Sequence, residues 1–73
     1  MDHVVSAELV ANVLSVDVEL DQVVKPGDSL VMLESMKMEI PVLSDVPGRV
    51  SEVVVHPGDV VHDGDPMIVI RES

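Results

Sequence analysis

Residues 13–30 recur as residues 50–67 at an offset of 37, and this duplication constrains the fold more than any other feature. In this register Val13, Val16 and Val18 align with Val50, Val53 and Val55. Val24, Gly27, Asp28 and Leu30 then align with Val61, Gly64, Asp65 and Met67. A duplicated unit keeps its structure in both copies, so the expectation is two similar units sharing one valine core about a pseudo-twofold axis. The chain has 73 residues, read as a single domain over 1–73 near the lower size limit for independent folding. A domain of that size buries about 60% of its unfolded surface, which leaves little room for a wide substrate cleft.

The units read as β. Valine is the commonest residue, about a quarter of the chain, and β-branched side chains pack well on pleated surfaces. Period-two alternation appears in Val16-Val18-Leu20, Met36-Met38-Ile40-Val42 and Val53-Val55. Turn signals are dense: Pro26-Gly27-Asp28, Pro47-Gly48, Pro57-Gly58-Asp59 and Asp63-Gly64-Asp65. Leu30 to Ile40 is an ambiguous stretch, because Leu30, Leu33, Lys37 and Ile40 also fall near a helical spacing. The repeat decides it: Leu30–Leu33 corresponds to Met67-Ile68-Val69-Ile70, which is strand-like, so the segment is assigned as strand. Where the second copy has Gly58-Asp59 the first has Asp21-Gln22. Asp tolerates positive φ, so the same turn fits both.

Composition excludes several classes of function. Fourteen acids against four basic residues give a formal charge of −10, which repels a phosphate backbone and an anionic membrane surface. With no Phe, Trp or Tyr there are no rings on which bases could stack. No nucleic-acid or membrane partner is expected, and free nucleotides or CoA esters are poor ligands for so acidic a chain. There is no Cys for a disulfide or a thiolate metal site. His3, His56 and His62 form no zinc spacing, and Asp63-Gly64-Asp65 lacks the length and closing Glu of a calcium loop. No nucleophile is positioned against a base and no glycine-rich phosphate loop exists, so the chain is not read as an enzyme. No signal segment or membrane span is apparent, which makes cytoplasmic the default location.

One stretch stands apart. Residues 33–42, LESMKMEIPV, enclose Lys37 between Met36 and Met38, with Ser35 before them and Glu34 and Glu39 outside. A turn lysine is ordinarily solvated charge. A solvated turn has no use for two thioethers, which usually fill a core or an adaptable recognition surface. Lys37 also sits where the first unit hands over to the second. By the pseudo-symmetry its turn should lie opposite the chain termini, with the two methionines flanking the tip. An amine held out in this way is suited to recognition by a partner enzyme.

Glu34-Ser35-Met36-Lys37-Met38-Glu39-Ile40-Pro41-Val42 closely resembles the attachment motif of biotinyl domains, the biotin carboxyl carriers. The likeness continues through Gly48-x-Val50 and Val55-x-x-Gly58-Asp59-x-Val61-x-x-Gly64, and covers about Val5 to Ile70. The resemblance implies an all-β, flattened barrel-sandwich of two four-stranded antiparallel sheets with pseudo-twofold symmetry and the lysine on a hairpin turn. It implies biotin joined covalently by an amide to Lys37, with Glu34, Ser35, Met36, Met38 and Glu39 as the recognition frame. A biotin protein ligase would activate biotin for attack by the amine. A biotin carboxylase and a carboxyltransferase would then be the partners, in an acyl-CoA carboxylase, with the acidic surface steering the domain toward basic patches. Two departures from the family pattern are Ser35, often Ala or Val, and Glu8-Leu9-Val10-Ala11 in place of a Pro-Met-Pro-Gly-like run. The chain also looks too short for the protruding loop of some carriers, and a minimal, free-standing monomer is expected. A lipoyl domain would share the fold but carries Asp-Lys-Ala at its tip, and an unmodified β module would leave Lys37 inert.

Overall fold

The computed structural model describes residues 1–73 and contains only strands and turns. Eight strands follow in order: β1 (Asp2–Ser6), β2 (Ala11–Val16), β3 (Val23–Val24), β4 (Ser29–Ser35), β5 (Met38–Leu43), β6 (Gly48–Val53), β7 (Val60–Val61) and β8 (Pro66–Glu72). They form two four-stranded antiparallel sheets, ordered β1-β8-β6-β3 and β5-β4-β2-β7. The assignment of Leu30–Ile40 to strand holds, apart from the tight turn at Met36-Lys37. No helix is present that could cross a membrane.

The duplication reappears pair by pair. β2 meets β4 with Val13 opposite Leu33 and Val16 opposite Val31, and β6 meets β8 with Val50 opposite Ile70 and Val53 opposite Ile68. Each of these pairings is interrupted by an irregularity at the same place, after Val13 and after Val50. The two-residue strands cross between units: β3 pairs with β6, and β7 with β2. Each unit thus completes the other's sheet, so neither half can close its edge alone.

The core lies between the sheets. Twelve of its fourteen buried residues are six repeat-related pairs: Val13/Val50, Val18/Val55, Val24/Val61, Leu30/Met67, Val31/Ile68 and Leu33/Ile70. Full burial of such a side chain is worth about 1.5–3 kcal/mol, and without aromatic residues the core depends on many aliphatic contacts rather than a few large ones. The remaining core members, Ala7 and Ala11, correspond to buried Ser44 and to Gly48. The Ser44 hydroxyl donates to the Val46 carbonyl at 2.6 Å, which satisfies it within its own turn.

Four turns share one design. Asp28, Asp59 and Asp65 each accept the backbone N–H three residues earlier through Oδ2, at 2.9–3.0 Å, and Gln22 does the same for Glu19 through Oε1 at 3.0 Å. The residue before each acceptor has positive φ: Gly27, Gly58, Gly64 and, in the fourth, Asp21 at 70°. The expected replacement of Gly58 by Asp21 is therefore met. The carboxylates of Asp59 and Asp65 serve as turn locks, and no three His, Asp or Glu side chains converge to hold a metal.

Two sequence expectations are corrected. The alternation through Val16-Val18-Leu20 does not continue as strand: β2 stops at Val16, and Leu20 opens the Glu19–Gln22 turn, 60% exposed. Val55 likewise lies beyond β6, though buried. In both copies the chain leaves the sheet while one valine still plugs the core. Pro47-Gly48 is not a turn pair either, since Gly48 is the first residue of β6 and pairs with both Val24 and Glu72.

Candidate functional site

β4 and β5 form a hairpin with Ser35 opposite Met38, so its loop is the two residues Met36 and Lys37. Their φ values are 53° and 66°. Positive φ at both central positions marks the type I′ turn, whose twist matches that of the flanking strands. The usual occupants are Asn and Gly; an L-residue without their tolerance costs about 1–2 kcal/mol in this region. Neither Met nor Lys is suited to it. The pairing of β4 with β5 below the tip holds the turn in place, and strain of this kind tends to persist where function needs a fixed presentation.

Lys37 is therefore the second residue of a two-residue tip. The sequence suggests methionines placed evenly on either side, but the register makes the arrangement asymmetric. Met36 shares the turn with Lys37 and is 91% exposed, while Met38 is the first residue of β5 and 61% exposed. Leu33 and Ile40 face the core, so Glu34 and Glu39 lie on the outer face, directly opposite each other. Like charges so placed are mildly destabilising. Neither carboxylate forms an ion pair with Lys37; the close charged contacts all involve histidines. The amine is exposed and unpaired, and neither surface depression includes any residue from Glu34 to Glu39.

Ser35 is tied down instead. Its hydroxyl donates to the Val10 carbonyl at 3.3 Å, linking the base of the tip to the segment between β1 and β2. Sequence reading marks Ser35 as a departure at a small-residue position and gives no role to Val10. The two are 25 residues apart, and no local pattern connects them.

The body measures 35 × 18 × 17 Å, and the strand register puts the tip and the chain termini at opposite ends of the sheets. β5 leads away from the tip for six residues, about 20 Å at 3.4 Å per residue. Beyond it the Pro47 carbonyl accepts the Ser73 N–H, and Glu72 N–H donates to the Met1 carbonyl. Under the repeat, the open end of the β1–β8 pair is the counterpart of the Lys37 hairpin.

Met36→Asn is expected to raise Tm by about 4–8 °C, the shift that about 1 kcal/mol produces in a domain this small. The exposed thioether contributes no core packing that would be lost. A Tm unchanged or lowered in a thermal melt would mean that the turn is not strained.

A family model described as "Biotin-requiring enzyme" matches residues 4–70, nearly the stretch that the motif resemblance covers. The chain is 56% identical over 66 residues to the "Biotinylated protein TB7.3 homolog" of Mycobacterium leprae, covering 90% of this chain and 93% of that one. It is 38% identical over 69 residues to the "Biotin/lipoyl attachment protein" of Bacillus subtilis, covering 94% of each. Among solved structures it matches part of a single-chain, multi-domain long-chain acyl-CoA carboxylase, with a TM-score of 0.92 and 32% identity. That match covers 99% of this chain but only 7% of the carboxylase.

Proposed function

The chain belongs to the biotin-requiring enzyme family of attachment domains, and from that premise we propose that it is a biotin carrier modified at Lys37. The observation that carries this reading is the strained two-residue tip: an unpaired amine held out between two exposed thioethers. These residues fit the group. Attachment needs a nucleophilic amine that a ligase can reach from several sides, and nothing in the fold covers this one. The exposed faces of Met36 and Met38 offer deformable apolar contact to the ligase. Glu34 and Glu39 give the frame a distinct charge on the outer face, and Ser35 anchors its base.

In the attachment step, Lys37 Nζ in its neutral form would attack the activated acyl carbon of biotin. The new amide bond forms as the activating group leaves, and Nζ gives up a proton. One positive charge is lost, taking the formal charge from −10 to −11, since −10 − 1 = −11. Attached biotin supplies a ring nitrogen able to take up and release a carboxyl group. The chain contributes the tether: a rigid body with the arm at one end keeps the ring at high effective concentration near its partner sites. The chain itself supplies no catalytic group in this scheme. Partners would be a biotin carboxylase and a carboxyltransferase, and the likeness to part of a long-chain acyl-CoA carboxylase supports an acyl-CoA acceptor.

The test is intact mass after incubation with a biotin protein ligase, ATP and biotin, followed by peptide mapping. One biotinoyl group is expected, on Lys37, with none on Lys25. A folded chain that stays unmodified beside a control carrier labelled in the same tube would refute the reading. Addition of a lipoyl group in a parallel incubation with a lipoate ligase, ATP and lipoate would make it a lipoyl carrier.

A further inference from the structure

Below the tip, the edge strands β1 and β5 of the two sheets flank a groove of about 630 Å³. Leu9, Ile40 and Val42 line it, against buried Leu33 and Met67 beneath. Glu8 and Asp63 stand on it without a side-chain partner, and the third acid, Asp45, is held by His3 at 3.1 Å. None of the chain's four Lys and Arg residues lines it.

The repeat relates β1 to β5, yet their free edges differ. In the hairpin Ser35 and Met38 form the first bonded pair, so Met32 and Pro41 are a non-bonded pair and the Pro41 nitrogen faces outward. Proline there removes an outward N–H and blunts the edge of β5. Glu72 N–H donates to the Met1 carbonyl at 2.9 Å, which by the same alternation turns the N–H and C=O of Val4 outward. Val4 is the repeat counterpart of Pro41 and is 51% exposed. One copy therefore closes its edge where the other leaves it open, beside an apolar groove whose unpaired charges are all negative.

We infer that β1 is a docking edge for an extended, apolar, Lys- or Arg-bearing segment of a partner protein. Such a segment would add as a strand beside β1, bond to Val4, set alternate apolar side chains toward Leu9, Ile40 and Val42, and place its cations by Glu8 and Asp63. Charge selects this occupant over a second copy of the chain, which would bring another −10 to the same place. The inference does not depend on Lys37. It adds a hold on the partner through residues outside the Lys37 hairpin tip, none of Glu34 to Glu39 lining the groove.

The experiment is an amide NMR titration of the 15N-labelled chain with the synthetic peptide Lys-Val-Thr-Val-Thr-Val-Lys. Shift changes are expected at Val4 to Leu9 and Ile40 to Leu43, with exchange of the Val4 amide slowed at least about tenfold by its new bond. Val4→Pro, a residue the fold already accepts at position 41, should weaken binding about tenfold or more. Asp63→Lys should weaken it as well, and both variants should still take biotin at the parent rate. Shifts spread over the acidic surface and indifferent to Val4→Pro would overturn the inference, as would no shifts at millimolar peptide. Shifts at β1 that grow with protein concentration in the absence of peptide would replace the partner with a second copy.

Discussion

Lys37→Arg is expected to abolish biotin incorporation while leaving the fold and its stability unchanged. Arginine keeps the charge, the length and the exposure of the side chain, and its helix and strand tendencies do not matter at a two-residue tip. Its guanidinium stays protonated under all ordinary conditions and is no acyl acceptor, so only the chemistry is removed. The chain holds a built-in control in Lys25, its second lysine. Lys25 is also exposed and also beside a turn, but it precedes Pro26-Gly27, and its backbone N–H is locked to Asp28 at 3.0 Å. It lacks both thioethers and the doubly left-handed tip. Streptavidin blotting after ligase treatment should therefore fall to background in Lys37→Arg and stay at the parent level in Lys25→Arg. Signal retained in Lys37→Arg would move the attachment elsewhere and undo the carrier reading as drawn.

Much of this fold is legible in the sequence, because the chain states its plan twice. The repeat resolved the helix-like stretch after Leu30 by pointing to Met67-Ile68-Val69-Ile70, and that same logic holds for the bulges and the turn locks. The exchange of β3 and β7 between units was not legible: Val23-Val24 and Val60-Val61 are short valine pairs with no mark of which sheet receives them. The strain at the tip was hidden for a different reason. Local rules expect Asn-Gly in a type I′ turn, so Met36-Lys37 gives no hint of positive φ. That conformation is imposed by the pairing of β4 with β5, which only the assembled hairpin reveals. The Ser35–Val10 contact depends on tertiary closeness alone. The motif was legible as a motif, whereas the asymmetry of its two methionines follows from the register.

Gly48 is where the two copies stop being interchangeable, and a single methyl group there should be among the most damaging small changes in the chain. Read in sequence, Pro47-Gly48 suggests a turn glycine chosen for its φ. In the structure Gly48 opens β6 between β3 and β8, and its backbone conformation is one any residue adopts. What it lacks room for is a Cβ: that atom would lie 2.3 Å from the Arg71 carbonyl oxygen, 2.9 Å from its carbon and 2.8 Å from Ile70 Cγ2. Two of these neighbours are backbone of β8 and cannot rotate away. The repeat counterpart, Ala11, carries its methyl in the core without difficulty. Gly48→Ala must therefore push β6 off β8, and a cost of about 3 kcal/mol is expected from overpacking of this kind. A domain of this length has only about 4–11 kcal/mol in total, and Tm should drop by about 12–24 °C. Gly27→Ala is the comparison that separates the two uses of glycine. Its φ is 95° but nothing lies within 4 Å of its missing Cβ, so it should cost only about 1–2 kcal/mol of backbone strain. Thermal melts that rank Gly48→Ala below Gly27→Ala in stability would establish the close approach of β6 and β8. The reverse order would mean that the two strands can part by an ångström at little cost, and that the second unit is as tolerant as the first.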